Sequence, residues 1–358
     1  MKKGLFGLFM ALVLVLTACG STKEEAPNNK KGEKAGEAGK PTELVISTWG
    51  FAEDFFRKEL YKPFEEKNNV KIVLEIGNNG ERLSKIQQGS SKVDLIYLSD
   101  YYAQQGIKAD LFEKIDRSNI PNIEEIYEAA KAPLGEDYGP AYTIGQLGIV
   151  YNPKETDLKI TSWKDLWNPE LAKKITIPGI TTTSGPMFLD AASRVAGHET
   201  FNEDAAFEKL KEINPNIVKE YGKTSEFVNM FAQGEIAAGP IMEMYVGDLR
   251  EAIPDAVFVT PEEGAYAVMN TINIVKGTEN KELAEKFINW LLSKEFQKTS
   301  AVAKIDSPVN TKVELSAEEA AGITYGADVV NKLIQLDMNV VLEKNEEWIN
   351  RWNREIAK

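Results

Sequence analysis

Three short apolar runs, ELVISTWG (43–50), VKIVLEIGN (70–78) and VDLIYLSD (93–100), alternate with longer stretches whose apolar residues recur at helical spacing. This alternation constrains the fold more than any other feature of the chain. FAEDFFRKELYKPFEEKNN carries Phe51, Phe55, Leu60 and Phe64 at near-helical intervals and ends in an Asn-Asn stop; ERLSKIQQGSSK and YYAQQGIKADLF follow the second and third runs as helices. A β-α-β-α-β order requires parallel strands covered by crossover helices, and such a sheet binds ligands beyond the carboxyl ends of its strands. Trp49 and Ser99-Asp100-Tyr101 stand at those ends and are the first candidate site residues.

The pattern changes at EDYGPAYTIGQLGIVYNPKET, where Gly139, Pro140, Gly145 and Gly148 interrupt two strand-like runs and Asn152-Pro153 closes the second. Punctuation of this kind is expected where a chain crosses between lobes. Beyond it, TSWKDLWNPELAKK predicts a helix capped by Thr161 or Ser162, and KITIPGITTTSGPMFLDAASRVAG a strand, a polar turn and a helix. A second alternating set runs through KTSEFVNMFAQGEIAAGPIMEMYVGDLREAIP. GAYAVMNTINIVKGTEN then supplies strands again, and NKELAEKFINWLLSKEFQKTSAVAK reads as one long amphipathic helix with Leu283, Phe287 and Leu291 on a stripe. Trp348 and Trp352, four apart on the last helix, are expected to pack in a core, with Glu346 and Glu347 on its surface.

The N-terminus, MKKGLFGLFMALVLVLTACGST, joins two lysines to an apolar stretch of export-signal length, too short to span ~30 Å of hydrocarbon comfortably. It ends on Cys19, the only cysteine of 358 residues. Leu16-Thr17-Ala18-Cys19 resembles a bacterial lipobox, in which the signal is cut before a cysteine that then carries lipid. The expectation is a signal peptide over 1–18 and a lipidated Cys19, which anchors the protein on the outer face of the cytoplasmic membrane. Residues 19–41 form the anchor and tether: alanine is their only apolar residue type after Cys19, and a coil of that length reaches about 25 Å. A net charge of −13 with no basic stripe argues against a nucleic-acid partner. One histidine, His198, and one already committed cysteine leave no parts for a His/Cys metal site or a nucleophile-base pair, so no cofactor, metal or catalytic residue is assigned.

Several phrases in order, STWG, VDLIYLSDYYAQQ, FEKIDRSNIPNI, TSWKDLWNPEL, PEEGAYAVMNTINIVKGTENKELAEKFINWLL, IDSPVN and EKNEEWINRWNREI, make the body from Leu44 onward resemble the spermidine/putrescine-binding branch of the bacterial ABC-importer solute-binding proteins. The resemblance implies an α/β fold of the two-lobed periplasmic-binding-protein type II, each lobe a mixed sheet with helices on both faces. It implies residues 42–139 plus 272–312 as lobe 1, 140–271 as lobe 2 and C-terminal helices over 313–358 packing on both. It also implies a monomer that captures a small molecule between its lobes and hands it to a membrane ABC permease without altering it, so not an enzyme.

The family's polyamine pocket is an aromatic box with acidic ends, because an alkyl diammonium needs ring faces along its stem and carboxylates at its amines. Trp49 and Tyr101 match two of its aromatics. Elsewhere the chain departs from it: Gly179-Ile180-Thr181-Thr182-Thr183-Ser184-Gly185 stands in place of an acidic pair, Met242 and Val268 in place of tryptophans, Glu243 for an asparagine and Asn270 for an aspartate, with Asp306 near a late tyrosine. Tyr142 and Tyr245 are further candidates for the cleft wall. Thr182, Thr183 and Ser184 either cap the following helix or hold an anionic head group at its N-terminus. The expected ligand is therefore a polyamine or amine by resemblance, or an anion or zwitterion such as a phosphonate or carboxylate held by the threonine loop, with Glu243 or Asp306 for an ammonium. A ferric-iron receptor using Tyr101, Tyr102 and Tyr245, and an extracytoplasmic enzyme, stand as further alternatives.

Overall fold

The computed structural model describes residues 40–357. The expected signal peptide, Cys19 and nearly all of the tether lie outside the described residues. The first apolar run forms β1 (Thr42–Thr48), which pairs in parallel with β2 (Val70–Ile76) on one side and β3 (Leu95–Ser99) on the other. Every residue of β3 is buried, as an uninterrupted apolar strand must be when helices cover both faces of its sheet. Between these strands lie the helices α1 (Asn79–Gln87) and, directly after β3, α2 (Asp100–Lys108). Asn78 begins α1 with a reciprocal capping box: its side chain accepts from Glu81 N–H at 2.9 Å, while Glu81 Oε2 accepts from Asn78 N–H at 3.3 Å. The long helical stretch before β2 carries one π-helical turn, Arg57–Tyr61, just before Pro63.

The remaining strands are β4 (Ala141–Tyr151), β5 (Ile175–Pro178), β6 (Ile217–Tyr221), β7 (Ala238–Met242), β8 (Val257–Val259) and β9 (Tyr266–Ile274). The described strands form one hydrogen-bonded mixed sheet in the order β2-β1-β3-β9-β4-β7-β5-β6, with β8 pairing β4 outside that path. The long antiparallel pair β4 and β9 sits at its middle. Each half has its own core: Leu44, Ile46, Leu95, Phe287 and Leu291 belong to one, Ile175, Ile177, Phe188 and Phe207 to the other. Helices α3 (Ser184–Val195) and α4 (Thr224–Ala232) cover the second half. The result is a two-lobed α/β architecture whose lobes share the strands that join them.

Three local expectations are corrected. Gly145 and Gly148 do not break the run at 141–151 into two strands; β4 is continuous, and at Gly148 a glycine is needed because neighbours press on it. A Cβ on Gly148 would overlap the carbonyl of Val259 and the ring of Phe258. TSWKDLWNPEL forms two 3₁₀ turns, Trp163–Trp167 and Pro169–Leu171, in place of an α-helix, with Ser162 as the cap and Pro169 preventing continuation. The long C-terminal amphipathic stretch is two helices, α5 (Lys281–Leu291) and α6 (Lys294–Val302), because Ser293 caps a new start by accepting from Phe296 N–H at 3.3 Å. Phe287 and Leu291 are fully buried, each contributing about 1.5–3 kcal/mol. On α7 (Met338–Glu355), Trp348 and Trp352 are buried in the second core, and Glu346 and Glu347 are exposed, as the spacing predicts. The Trp352 indole donates to Glu220 at 2.8 Å.

Candidate functional site

Four helices begin at one cleft. α1 and α2 follow the parallel strands β2 and β3, and α3 and α4 follow β5 and β6, which are parallel to each other and run opposite to β2 and β3, so the two pairs of helix starts come to the cleft from separate halves of the sheet. Their N-cap residues, Asn78, Ser99, Thr183 and Lys223, all line a cleft of about 800 Å³. Partial positive charge gathers at the start of each helix, where the first N–H groups have no intrahelical partner. At α1 and α4 a glutamate already takes part of it: Glu81 in the capping box, and Glu226, which accepts from Gly222 N–H at 2.8 Å. The N-cap side chains Ser99 and Thr183 do not close α2 or α3; in the first turns Asp100 Oδ1 accepts from Tyr101 N–H at 2.8 Å and Thr182 Oγ1 from Gly185 N–H at 3.1 Å. These two starts meet where Ser99 Oγ and Thr183 Oγ1 lie 3.4 Å apart, bringing the two halves of the sheet together at the cleft.

The floor beneath is also cationic. Arg82 is fully buried, and its guanidinium donates to the carbonyls of Gly77 (2.9 Å), Ser47 (3.1 Å) and Tyr97 (2.6 Å) and to Asn79 Oδ1 (2.9 Å). It forms no ion pair among the described residues. Glu75, its acidic neighbour, is paired with Lys85 at 3.4 Å. Burial pulls the Arg82 pKa down to about 10, which leaves the group charged at neutral pH. Its Cζ sits 5.4 Å from the ring centroid of Trp49, which lines the cleft. None of the described residues lining the cleft is Asp or Glu.

A second cavity of about 270 Å³ adjoins the cleft, the two sharing Met242, Met244, Val268 and Asn270. Glu243 lines it, with every hydrogen-bonding direction committed: Oε1 accepts from Gln146 Nε2 (3.2 Å), and Oε2 from Thr324 N–H (3.0 Å), Thr324 Oγ1 (2.6 Å) and Ser307 Oγ (3.4 Å). Burial still raises the Glu243 pKa above the ordinary glutamate value. Asp306 lines the same cavity, and burial pushes it up to about 7.

The family profile of the bacterial extracellular solute-binding proteins matches residues 90–332. The chain belongs to that family. An ABC transporter protein from Clostridium perfringens ATCC 13124 shares 45% identity and a TM-score of 0.78, the match covering 88% of this chain and all of the other. The spermidine/putrescine-binding periplasmic protein of Salmonella typhimurium is 28% identical over 255 residues, 68% of this chain and 71% of its own. The periplasmic binding protein AfuA from Actinobacillus pleuropneumoniae, solved with exogenous fructose-6-phosphate bound, shares 25% identity with a TM-score of 0.72, covering 88% and 98% of the two chains.

In this solute-binding protein the residues singled out from sequence divide into three groups. Trp49, Ser99, Thr182, Thr183, Ser184, Tyr245 and Asn270 line the cleft. Glu243 and Asp306 line the side cavity, which Asn270 also borders. Asp100, Tyr101 and Tyr142 do not line the cleft. Asp100 is buried, accepts from Tyr101 N–H at 2.8 Å and is pushed up to about 7 by desolvation. Tyr101 turns toward α7, its hydroxyl donating to Asn345 Oδ1 at 3.1 Å, and its neighbour Tyr102 takes the place at the cleft wall. Successive residues on a helix point about 100° apart, so one position of register decides which tyrosine faces the ligand space. Tyr142 lies in the core with its ring 4.9 Å from that of Tyr97.

Sequence reasoning missed Arg82, Asn78, Asn79 and Lys223. Asn78 was legible as a cap, since an asparagine followed by glutamate three residues later and preceded by a strand signals a helix start. Arg82 carried no such signal, because its burial depends on strands β1 and β3 closing over it. Among the described residues, no group of three or more His, Cys, Asp or Glu is placed to hold a metal ion, and no helix is long and apolar enough to cross a membrane.

Proposed function

We propose that this solute-binding protein serves an ABC importer and that its solute carries an anionic head group, a phosphonate, phosphate or carboxylate, held by the threonine loop. One observation carries the reading: the starts of α2 and α3, neither closed by its N-cap side chain, meet at a cleft whose described lining holds no carboxylate, with the buried Arg82, in no ion pair among the described residues, packed against the lining residues Trp49 and Asn79. Helix N-termini and a desolvated guanidinium attract anions and repel ammonium groups, even though the chain as a whole is acidic. Thr183, Ser184 and Ser99 supply hydroxyls there, and Trp49, Tyr102 and Tyr245 supply walls. Thr182 acts indirectly: its hydroxyl donates to Gly179 O at 2.8 Å and accepts from Gly185 N–H at 3.1 Å, which fixes the loop.

In this reading ligand contacts drawn from both lobes favour the closed form, and the monomer, tethered through lipid on Cys19, passes its solute unaltered to the permease. The lobes are residues 42–139 plus 272–312 and residues 140–271. A second reading, a polyamine or amine solute, is favoured by the polyamine names of relatives such as the Salmonella protein. A thermal-shift panel separates the two: a ligand at 100 times its dissociation constant adds about 2.7 kcal/mol of stability. Stabilisation by alkylphosphonates, phosphate esters or carboxylates is expected. Stabilisation by putrescine or spermidine alone would replace the anion reading with the amine one.

A further inference from the structure

The side cavity contains one charged group without a close hydrogen bond at its buried oxygen, Oδ2 of Asp306. Asp306 is nine-tenths buried, and the nearby Ser300 hydroxyl, itself without another partner, is the one protein donor that acts on it, and only weakly offsets its burial. A buried carboxylate normally recruits donors, because desolvating it without them is unfavourable by several kcal/mol. The other charged groups of the cavity have theirs. Glu243 is saturated by Gln146, Thr324 and Ser307. Lys304 donates to the carbonyls of Glu318, Glu319 and Ala321, and Arg250 to that of Ala256. Between this cavity and the cleft the shared wall is Met242, Met244 and Val268, with Asn270 as its polar member.

We propose that the side cavity is an ammonium subsite in which Asp306 receives the cationic end of a solute whose anionic end lies at the helix starts. The inference rests on the anion reading and narrows it to a zwitterion: an acid group, a short aliphatic link and a primary amine. Each part meets matching chemistry. The link passes the two methionines and the valine, which suit methylene groups. The amine arrives at a carboxylate whose sole protein donor is the Ser300 hydroxyl, and Ser307 and Asn270, both lining the cavity, offer oxygens for its remaining hydrogens. Asp306, pushed up to about 7 by burial, gives up its proton when the ammonium takes the place of one.

The test pairs ligands with variants on the full chain. Short ω-aminoalkylphosphonates and the matching alkylphosphonates are titrated calorimetrically into wild-type protein and Asp306→Asn, with Glu243→Gln as a second variant. Wild type is expected to favour the aminated compound by about 10- to 100-fold, the worth of a hydrogen bond to a charged group. Asp306→Asn is expected to erase that preference while leaving the alkylphosphonate affinity unchanged, which also shows that the variant is folded. Glu243→Gln keeps the preference. An amine preference that survives in Asp306→Asn overturns the inference, as does wild-type binding of alkylphosphonate with no gain from the amine, an outcome that leaves the anion reading intact. Failure of every phosphonate to bind wild type counts against the anion reading itself and takes the subsite with it.

Discussion

An unpartnered buried carboxylate should make the ligand-free protein less stable as pH rises, and Asp306→Asn should relieve it. Asp306 titrates near 3.8 when exposed and at about 7 in the folded protein. Between those values the folded state binds more protons than the unfolded state, so stability is full below pH 3.8 and declines until about pH 7. The span from 3.8 to about 7 corresponds to about 4 kcal/mol. The groups acting on Asp306 do not offset this: the Ser300 hydroxyl pulls it down by less than burial raises it, and Tyr61, Tyr97 and Tyr142 face it from three elements and remain neutral, their own pKa values raised by burial. Glu243, in the same cavity, shifts in the same direction. Urea melts at pH 4.5 and pH 8 measure the effect. Asp306→Asn should match wild type within about 1 kcal/mol at the lower pH and exceed it by about 2–4 kcal/mol at pH 8, the lower bound allowing for local relaxation. Equal stability of the two proteins at pH 8 would refute the reasoning, and with it the picture of Asp306 as a carboxylate waiting for a donor.

Exchanging the roles of the adjacent tyrosines should be visible: Tyr102→Ala weakens ligand binding, whereas Tyr101→Phe loses only the bond to Asn345, about 1 kcal/mol of stability by denaturant melt, and keeps its affinity. Gly185→Ala should impair both folding and binding, because the added Cβ would lie 2.5 Å from Gly179 O and 2.6 Å from Ile180 Cα and push the threonine loop out of position; a loss of about 1–3 kcal/mol is expected, and unchanged stability would contradict the geometry. Glu243→Leu strands the donors of Gln146, Thr324 and Ser307 and should lower stability by several kcal/mol at pH 7, measured by thermal or urea unfolding.

Much of the fold was legible from local pattern. The parallel β1, β2 and β3, a cap at Thr161 or Ser162, the loop leading into α3 and the core tryptophans of α7 follow from apolar periodicity and from which residues can start a helix. The position of the threonine loop before α3 was legible for the same reason, since hydroxyls before a helix announce themselves in one dimension; the loop lines the cleft. Gly148 in β4 misled, because its role is to admit Val259 and Phe258 from a strand more than a hundred residues away.

The chain order alone determined that helices follow strands and therefore that, within each half, helix N-termini lie beyond the strand ends, since the strands of one half are parallel; that the two oppositely running sets meet at one cleft came from tertiary structure. The sequence also determined that no acid stands in the threonine loop. Tertiary structure decided the rest: which of Tyr101 and Tyr102 faces the cleft, that Arg82 is buried beneath Trp49 without an ion pair, and that Glu243 is saturated while Asp306 is not. The physical reason is that a side chain's charge is written in its identity, whereas its neighbours and its exposure to water arise only when distant segments pack, and these set whether that charge is satisfied or left for a ligand.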